Sequence, residues 1–212
     1  MTIVYASTTN PGKLREFLHA AAEANSSDFV IEPLPAIREI APPEENGETF
    51  EANSILKAVY YSRFTKGLVF ADDSGLEVDA LGRAPGVRSA RIASEHATDA
   101  ENNALVLKQL ETVSDRAARF VCVISLARDG RVLHSSRGTV EGELLREPRG
   151  RNGFGYDPLF FCHAVGKTLA EATQDEKFQV SHRGNALRAL FEWLKRNQGN
   201  FVTGNAGTEP GT

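Results

Sequence analysis

The chain has 212 residues, of which 41% are hydrophobic and 25% charged, and its formal net charge is −4. This length and balance suit a single globular α/β domain, here expected over 1–198, with two lobes around a cleft. The acidic balance disfavours a binder of nucleic acid polymer, while a few local Lys and Arg residues would suffice for a small anionic ligand. Both cysteines, Cys122 and Cys162, sit in apolar runs without metal-ligand spacing, which reads as buried thiols in a reducing cytosol. The N-terminal MTIVYASTTN lacks the pattern of a signal peptide, and no apolar run approaches the roughly 20 residues that span a bilayer. The expectation is a cytoplasmic protein without a membrane partner.

In chain order, Thr2 to Ala6 reads as a strand, Ser7 to Gly12 as a tight loop, and Lys13 to about Asn25 as a helix with Leu14, Phe17, Leu18 and Ala21 on one stripe. Phe29 to Leu34 is a second strand and Pro42 to Gly47 an acidic loop. Thr49 to about Phe64 is helical in pattern, and Leu68 to Ala71 is a short strand ending on Asp72-Asp73-Ser74-Gly75. Thr98 and Glu101 form a capping-box pattern ahead of a helix with Leu105, Leu107 and Leu110. Phe120 to Ala127 suits a strand buried on both faces. Asp129-Gly130 then turns the chain into a strand from Arg131 to Val140. A Gly/Arg/Pro-rich loop over Arg146 to Asp157 leads to a strand at Pro158 to Cys162, and His182 to Arg196 is a closing helix. The 199–212 tail, poor in apolar residues, is expected to be disordered. Alternating strands and helices with one hairpin predict a mixed β-sheet with flanking helices.

Four segments carry chemistry. Ser7 to Lys13 places a small-residue loop and a lysine at a helix start, a setting that attracts phosphate or forms a plain strand–helix turn. It is not a Walker loop, because Leu14 stands where that motif has a Mg²⁺-binding hydroxyl. Asp72 and Asp73 follow an apolar strand and face different ways, so one is expected to enter the cleft and the other to tie down a turn. A carboxylate there suits Mg²⁺. Upstream, Glu44, Glu45, Glu48 and Glu51 are metal ligands or a solvated acidic stretch. The Asn152 to Pro158 loop has glycines for close approach and Phe154 and Tyr156 as stacking faces, or is a packed turn. Lys177, His182 and Arg183 bring donors near the last helix, or surface charge, and Lys57 either meets a ligand or snorkels.

The stretches ASTTNPGKLREF, EENGETFEANSILKA, ADDSGLEVDALGRAPGVRSAR, GFGYDPLF and SHRGNALRAL occur in the order found in the inosine triphosphate pyrophosphatase (XTP/dITP diphosphatase) family, which the sequence strongly resembles. The resemblance implies an elongated two-lobed α/β fold, a homodimer, a purine nucleoside triphosphate substrate and dependence on Mg²⁺. It implies that Thr8, Thr9, Asn10, Pro11, Gly12 and Lys13 hold the triphosphate. It gives Asp73 the role of general base and metal-associated carboxylate, Ser74 a substrate contact, Glu45 a metal bond and Lys57 a phosphate contact. Phe154, Gly155, Tyr156 and Asp157 resemble the base loop, and Lys177, His182 and Arg183 the remaining nucleotide contacts. Thr9 stands where the family often has Gly, and Ala52 where it often has Glu. Glu51 is about 100° further round the helix and is left out of the site.

The activity implied is hydrolysis of ITP, dITP and XTP to monophosphate and pyrophosphate. The His182-Arg183 donors would pair with a 6-oxo group, leaving the amine of adenine unpaired. A Maf-type nucleotide pyrophosphatase is the nearest alternative, opposed by the GFGYDP and SHR segments. A nucleotide-binding regulator without turnover would not need the ADDSG carboxylates.

Overall fold

The computed structural model describes residues 2–23 and 29–199. The first strand, β1 (Thr2–Ala6), runs parallel to β2 (Phe29–Pro33) and to β3 (Leu68–Val78). From there the sheet is antiparallel: β3 pairs with β4 (Ala117–Arg128), β4 with β5 (Arg131–Leu144), β5 with β6 (Phe160–Cys162), and β6 with β7 (Lys167–Thr168). The resulting order, β2-β1-β3-β4-β5-β6-β7, is the expected mixed sheet. Asp129 (φ 50) and Gly130 (φ 75) make the left-handed two-residue turn between β4 and β5. Phe120 to Ala127 is buried throughout, because helices cover both faces of β4.

Helices α1 (Pro11–Glu23), α2 (Phe50–Tyr61), α3 (Asp99–Gln109), α4 (Gln174–Val180) and α5 (His182–Arg196) flank the sheet. Asn10 caps α1: its Oδ1 accepts from the N–H of Gly12 (2.8 Å) and of Lys13 (3.1 Å). That puts Pro11 at the first helical position and starts the helix two residues before the expected Lys13. Thr49 caps α2, and the expected capping box of Thr98 and Glu101 opens α3. Thr173 and Glu176 form a second capping box ahead of α4, a helix the sequence reading did not assign. The expected end of α1 near Asn25 lies outside the described residues, as does all of the 199–212 tail except Gly199.

The short strand expected to stop at Ala71 is instead eleven residues long. It continues because Asp72 to Val78 pair residue by residue with Ile124 to Ala118 of β4. Gly75 is needed where it stands: a Cβ there would lie 2.3 Å from Ser89 Oγ and 2.7 Å from the Gly86 carbonyl oxygen. This long strand carries two cores. One gathers Val4, Phe17, Phe70, Ile124, Leu187 and Leu190 around α1 and α5. The other gathers Leu76, Val106, Leu110, Phe120, Leu144 and Phe160 around α3 and the β5–β6 end. Between Phe70 of the first core and Leu76 of the second, β3 is polar, and the cleft opens there.

Candidate active site

The cleft between the two cores is a cavity of about 350 Å³. Strand alternation sends the two aspartates of β3 to opposite faces of the sheet. Asp72 faces α1 and α5, where Lys13 Nζ lies 2.8 Å from its Oδ2 and Arg183 Nε 3.9 Å away. Asp73 faces α2, where Lys57 Nζ is 3.1 Å from its Oδ1 and Asn53 Nδ2 donates to its Oδ2 over 3.2 Å. Both aspartates line the cavity, so the expectation that one merely ties down a turn is corrected. Since helices cover both faces of β3, neither side chain points to solvent: Asp72 is 4% exposed and Asp73 7%.

The acidic loop reaches the site through Glu45, whose Oε2 accepts from Lys57 Nζ at 2.8 Å. Glu44 is exposed and does not line the cavity. Lys57 is therefore shared by two carboxylates rather than snorkelling to solvent. Asn53, one helical turn before Lys57, also binds both sides of the Gly47 peptide, so α2 ties the acidic loop to Asp73. Glu51 is exposed on another face of α2 and outside the cavity, in line with its exclusion from the site.

On the opposite wall, Glu16 of α1 is buried between Lys177 and Arg183. Lys177 Nζ lies 2.6 Å from Glu16 Oε1 and 2.6 Å from Asp157 Oδ2, and Arg183 Nη1 donates to Glu16 Oε2. Arg183 Nη2 donates to Ser74 Oγ over 3.0 Å. The Phe154 ring covers this group, with Lys177 Nζ 5.1 Å and Arg183 Cζ 5.5 Å from its centroid. His182 stacks on Phe120 with ring centroids 4.7 Å apart, and its buried Nδ1 has no partner among the described residues. Tyr156 donates its hydroxyl to the Ser89 carbonyl oxygen at 2.7 Å.

Electrostatics separates the two aspartates. Burial alone would raise the pKa of Asp72, but Lys13, Arg183 and Lys57 outweigh it and lower the value to about 2. Asp73 is raised, chiefly by burial and further by Glu45, against the pull of Lys57 and Lys13. Burial would lower Lys57, yet Asp73, Asp72 and Glu45 together raise it. Burial lowers His182 well below its ordinary 6.5, with Arg183, Lys177 and Lys13 pushing the same way, so the imidazole is neutral at pH 7. Asp73 has the environment of a tuned base, and Asp72 that of a fixed anion.

Of the residues read from the sequence, Thr8, Thr9, Asn10, Lys13, Glu45, Lys57, Asp73, Ser74, Phe154, Gly155, Tyr156, Asp157, Lys177, His182 and Arg183 all line the one cavity. Pro11 and Gly12 do not, because Pro11 starts the helix and Gly12 lies beneath the Phe154 ring. Asn10 already holds the N–H groups of Gly12 and Lys13, so that helix start offers a ligand fewer free donors than the loop pattern suggested. Asp72 was expected to serve a turn, and Glu16 and Asn53 did not stand out in the sequence. Glu16 and Asn53 had a spacing signal, one turn after Lys13 and one turn before Lys57, whereas Asp72 had none beyond its place beside Asp73.

The cavity wall carries five cationic side chains (Lys13, Lys57, Arg91, Lys177, Arg183) and five carboxylates (Glu45, Asp72, Asp73, Asp99, Asp157). The formal charges of the wall cancel, so these side chains together bring no net positive charge to a polyphosphate. Among the described residues no group of three or more His, Cys, Asp or Glu converges as a metal site. Glu45 and Asp73 do converge on one cation, Lys57 Nζ, and Mg²⁺ typically takes only one or two carboxylates alongside phosphate oxygens.

Sheet order, paired cores and a charged cleft with an aromatic end define an α/β protein with one interlobe site. The sequence profile of the Ham1 family matches residues 4–193, and the chain belongs to the Ham1 family. It is 49% identical over 200 residues to a dITP/XTP pyrophosphatase of Acidobacterium capsulatum, covering 90% of this chain and 97% of that protein. A dITP/XTP pyrophosphatase of an Exiguobacterium species is 46% identical over 183 residues, covering 86% of this chain and 92% of the relative. Among solved structures, a HAM1 protein from Coxiella burnetii aligns with TM-score 0.81 at 40% identity, covering 92% of this chain and 100% of that one. The Staphylococcus aureus Ham1 protein gives TM-score 0.80 at 36% identity with the same coverage. The family resemblance and the mixed α/β fold expected from the sequence are both borne out.

Proposed function

We propose that this chain is a Mg²⁺-dependent nucleoside triphosphate pyrophosphatase that converts ITP, dITP and XTP to the monophosphate and pyrophosphate, clearing deaminated purines from the cytoplasmic pool. The observation that carries the reading is the shared lysine: Lys57 Nζ lies between Glu45 and Asp73 in a cleft whose wall charges balance. The relatives named dITP/XTP pyrophosphatase support the same substrate class. Free nucleotides rather than a nucleic acid polymer are the substrate, and the protein works as a homodimer.

Water attacks the α-phosphorus, the bond from that phosphorus to the bridging α–β oxygen breaks, and pyrophosphate leaves with the β–γ link intact. Asp73 orients the water and accepts its proton, a role suited to a carboxylate whose pKa is raised. Lys13 and Lys57 carry phosphate charge. Glu45 and Asp73 would hold Mg²⁺, which would supply the remaining charge neutralisation. At the aromatic end, Phe154 and Tyr156 face the base, and donors of Arg183 and neutral His182 meet its 6-oxo group. Adenine, with an amine there, offers these donors no acceptor. Phosphorus NMR of ITP incubated with protein and Mg²⁺ tests this reading: IMP with pyrophosphate is expected, and IDP with orthophosphate would oppose it.

A further inference from the structure

The capping box at Thr98 and Glu101 sets where α3 begins, and the helix lines the aromatic end of the cleft with Asp99 and Asn102. Asp99 and Asn103, four residues apart, lie on one side of α3 and bind the N–H and the carbonyl of one residue, Gly155. Asp99 Oδ2 accepts from the Gly155 N–H at 2.6 Å, and Asn103 Nδ2 donates to the Gly155 carbonyl oxygen at 3.0 Å. Gly155 has φ 62, a backbone state that glycine adopts without strain. Asn103 Oδ1 has no partner among the described residues, so the one side-chain bond of this amide goes to the loop.

Asn102, the next residue round the helix, holds the other segment of the same wall. Its Nδ2 donates to the Ala90 carbonyl oxygen at 3.1 Å, and its Oδ1 accepts from the Ala93 N–H at 3.1 Å. Tyr156 closes the circuit through the Ser89 carbonyl. From its inner side the loop is held by Asp157, which accepts from the Phe154 N–H at 2.9 Å and pairs with Lys177. Phe154 and Tyr156 are thus fixed from two sides, and α3 supplies the outer one.

We propose that α3 is the clamp that sets base selectivity in this site, with Asp99 and Asn103 as positioning residues that fix Gly155 and thereby the Phe154–Tyr156 wall. The inference rests on the reading of the cleft as a purine nucleoside triphosphate site. It differs from a charge effect of Asp99, because Asn at position 99 keeps an acceptor oxygen for the Gly155 N–H while losing the charge.

The test compares ITP and ATP kinetics for the unsubstituted protein, Asp99→Ala, Asp99→Asn and Asn103→Ala, with amide hydrogen exchange at Gly155 followed by NMR. Each alanine variant is expected to narrow the ITP-to-ATP ratio of kcat/KM by about tenfold, through KM for ITP rather than kcat, which is the scale of one or two lost hydrogen bonds. Gly155 exchange should speed up in the alanine variants, and Asp99→Asn should restore both selectivity and protection. An unchanged ratio, or an equal loss on both nucleotides with no change at Gly155, would overturn the clamp. Should the unsubstituted protein fail to release pyrophosphate from ITP, the functional reading is what fails. Gly155 exchange then tests the positioning part alone: faster exchange in the alanine variants shows that Asp99 and Asn103 fix the loop, and unchanged exchange overturns it.

Discussion

Lys13 Nζ lies 2.8 Å from Asp72 Oδ2, an ion pair that joins the first turn of α1 to the middle of β3. Asp72 is almost fully buried and held ionised, so it presents Lys13 at a fixed place beside the cavity. Lys13 is a phosphate contact in this account, not a substitute for metal. Lys13→Ala should raise KM for ITP roughly 10- to 100-fold, the range for losing a charged hydrogen bond. Steady-state kinetics across a Mg²⁺ titration check this; full recovery at high Mg²⁺ would show that metal and lysine are interchangeable.

Asp73→Asn should lower kcat by about 10²–10⁴-fold, the usual scale for removing a general base. The amide matches the carboxylate in size but has one oxygen for two donors, Asn53 Nδ2 and Lys57 Nζ, so the protein should stay folded with a modest drop in thermal midpoint. A variant that keeps most of its activity would remove Asp73 from the chemistry.

Asn53 touches Asp73 and both polar groups of the Gly47 peptide, and so sets the acidic loop that carries Glu45 against the base. Asn53→Ala is expected to raise the Mg²⁺ concentration for half-maximal rate about 10-fold or more, as losses behind a metal ligand commonly do. An unaltered Mg²⁺ requirement, measured on ITP with the melting curve as control, would reduce Asn53 to a helix-packing residue.

His182 gives a pH prediction with a definite sign. Its folded pKa is well below 6.5, so between the two values the unfolded chain binds a proton that the folded protein does not. Stability is fully present above about pH 6.5 and falls as pH drops through that value. Urea midpoints on either side of it, for the unsubstituted protein and His182→Gln, should show the larger decline in the unsubstituted protein. Equal declines would mean that other groups carry the acid sensitivity.

Local pattern was legible in the sequence where a short-range cause sets it. The capping box of Thr98 and Glu101 and the Asp129-Gly130 turn depend on neighbours a few positions away, and the run Phe120 to Ala127 shows its burial on both faces by an unbroken apolar pattern. The family resemblance then gathered site residues that no spacing rule could bring together. What was missed depends on tertiary pairing. β3 outruns its apolar segment because β4 satisfies its backbone through Val78, and that partner cannot be read from Asp72-Asp73-Ser74 alone. Glu16 looked like one acid on an amphipathic helix, yet it meets Arg183 from the far end of the chain only after α1 and α5 pack on one sheet face.

Base selection is the property that most directly separates this function from other nucleotide chemistry. Pyrophosphate release should be followed for ITP, dITP, XTP, ATP and GTP at a fixed Mg²⁺ concentration, and for ITP without the metal. The three deaminated nucleotides should turn over, ATP and GTP should be far slower, and ITP turnover should vanish when Mg²⁺ is withheld. Comparable kcat/KM for ATP and ITP would contradict the assignment of Arg183, His182 and the Phe154–Tyr156 wall to reading the base.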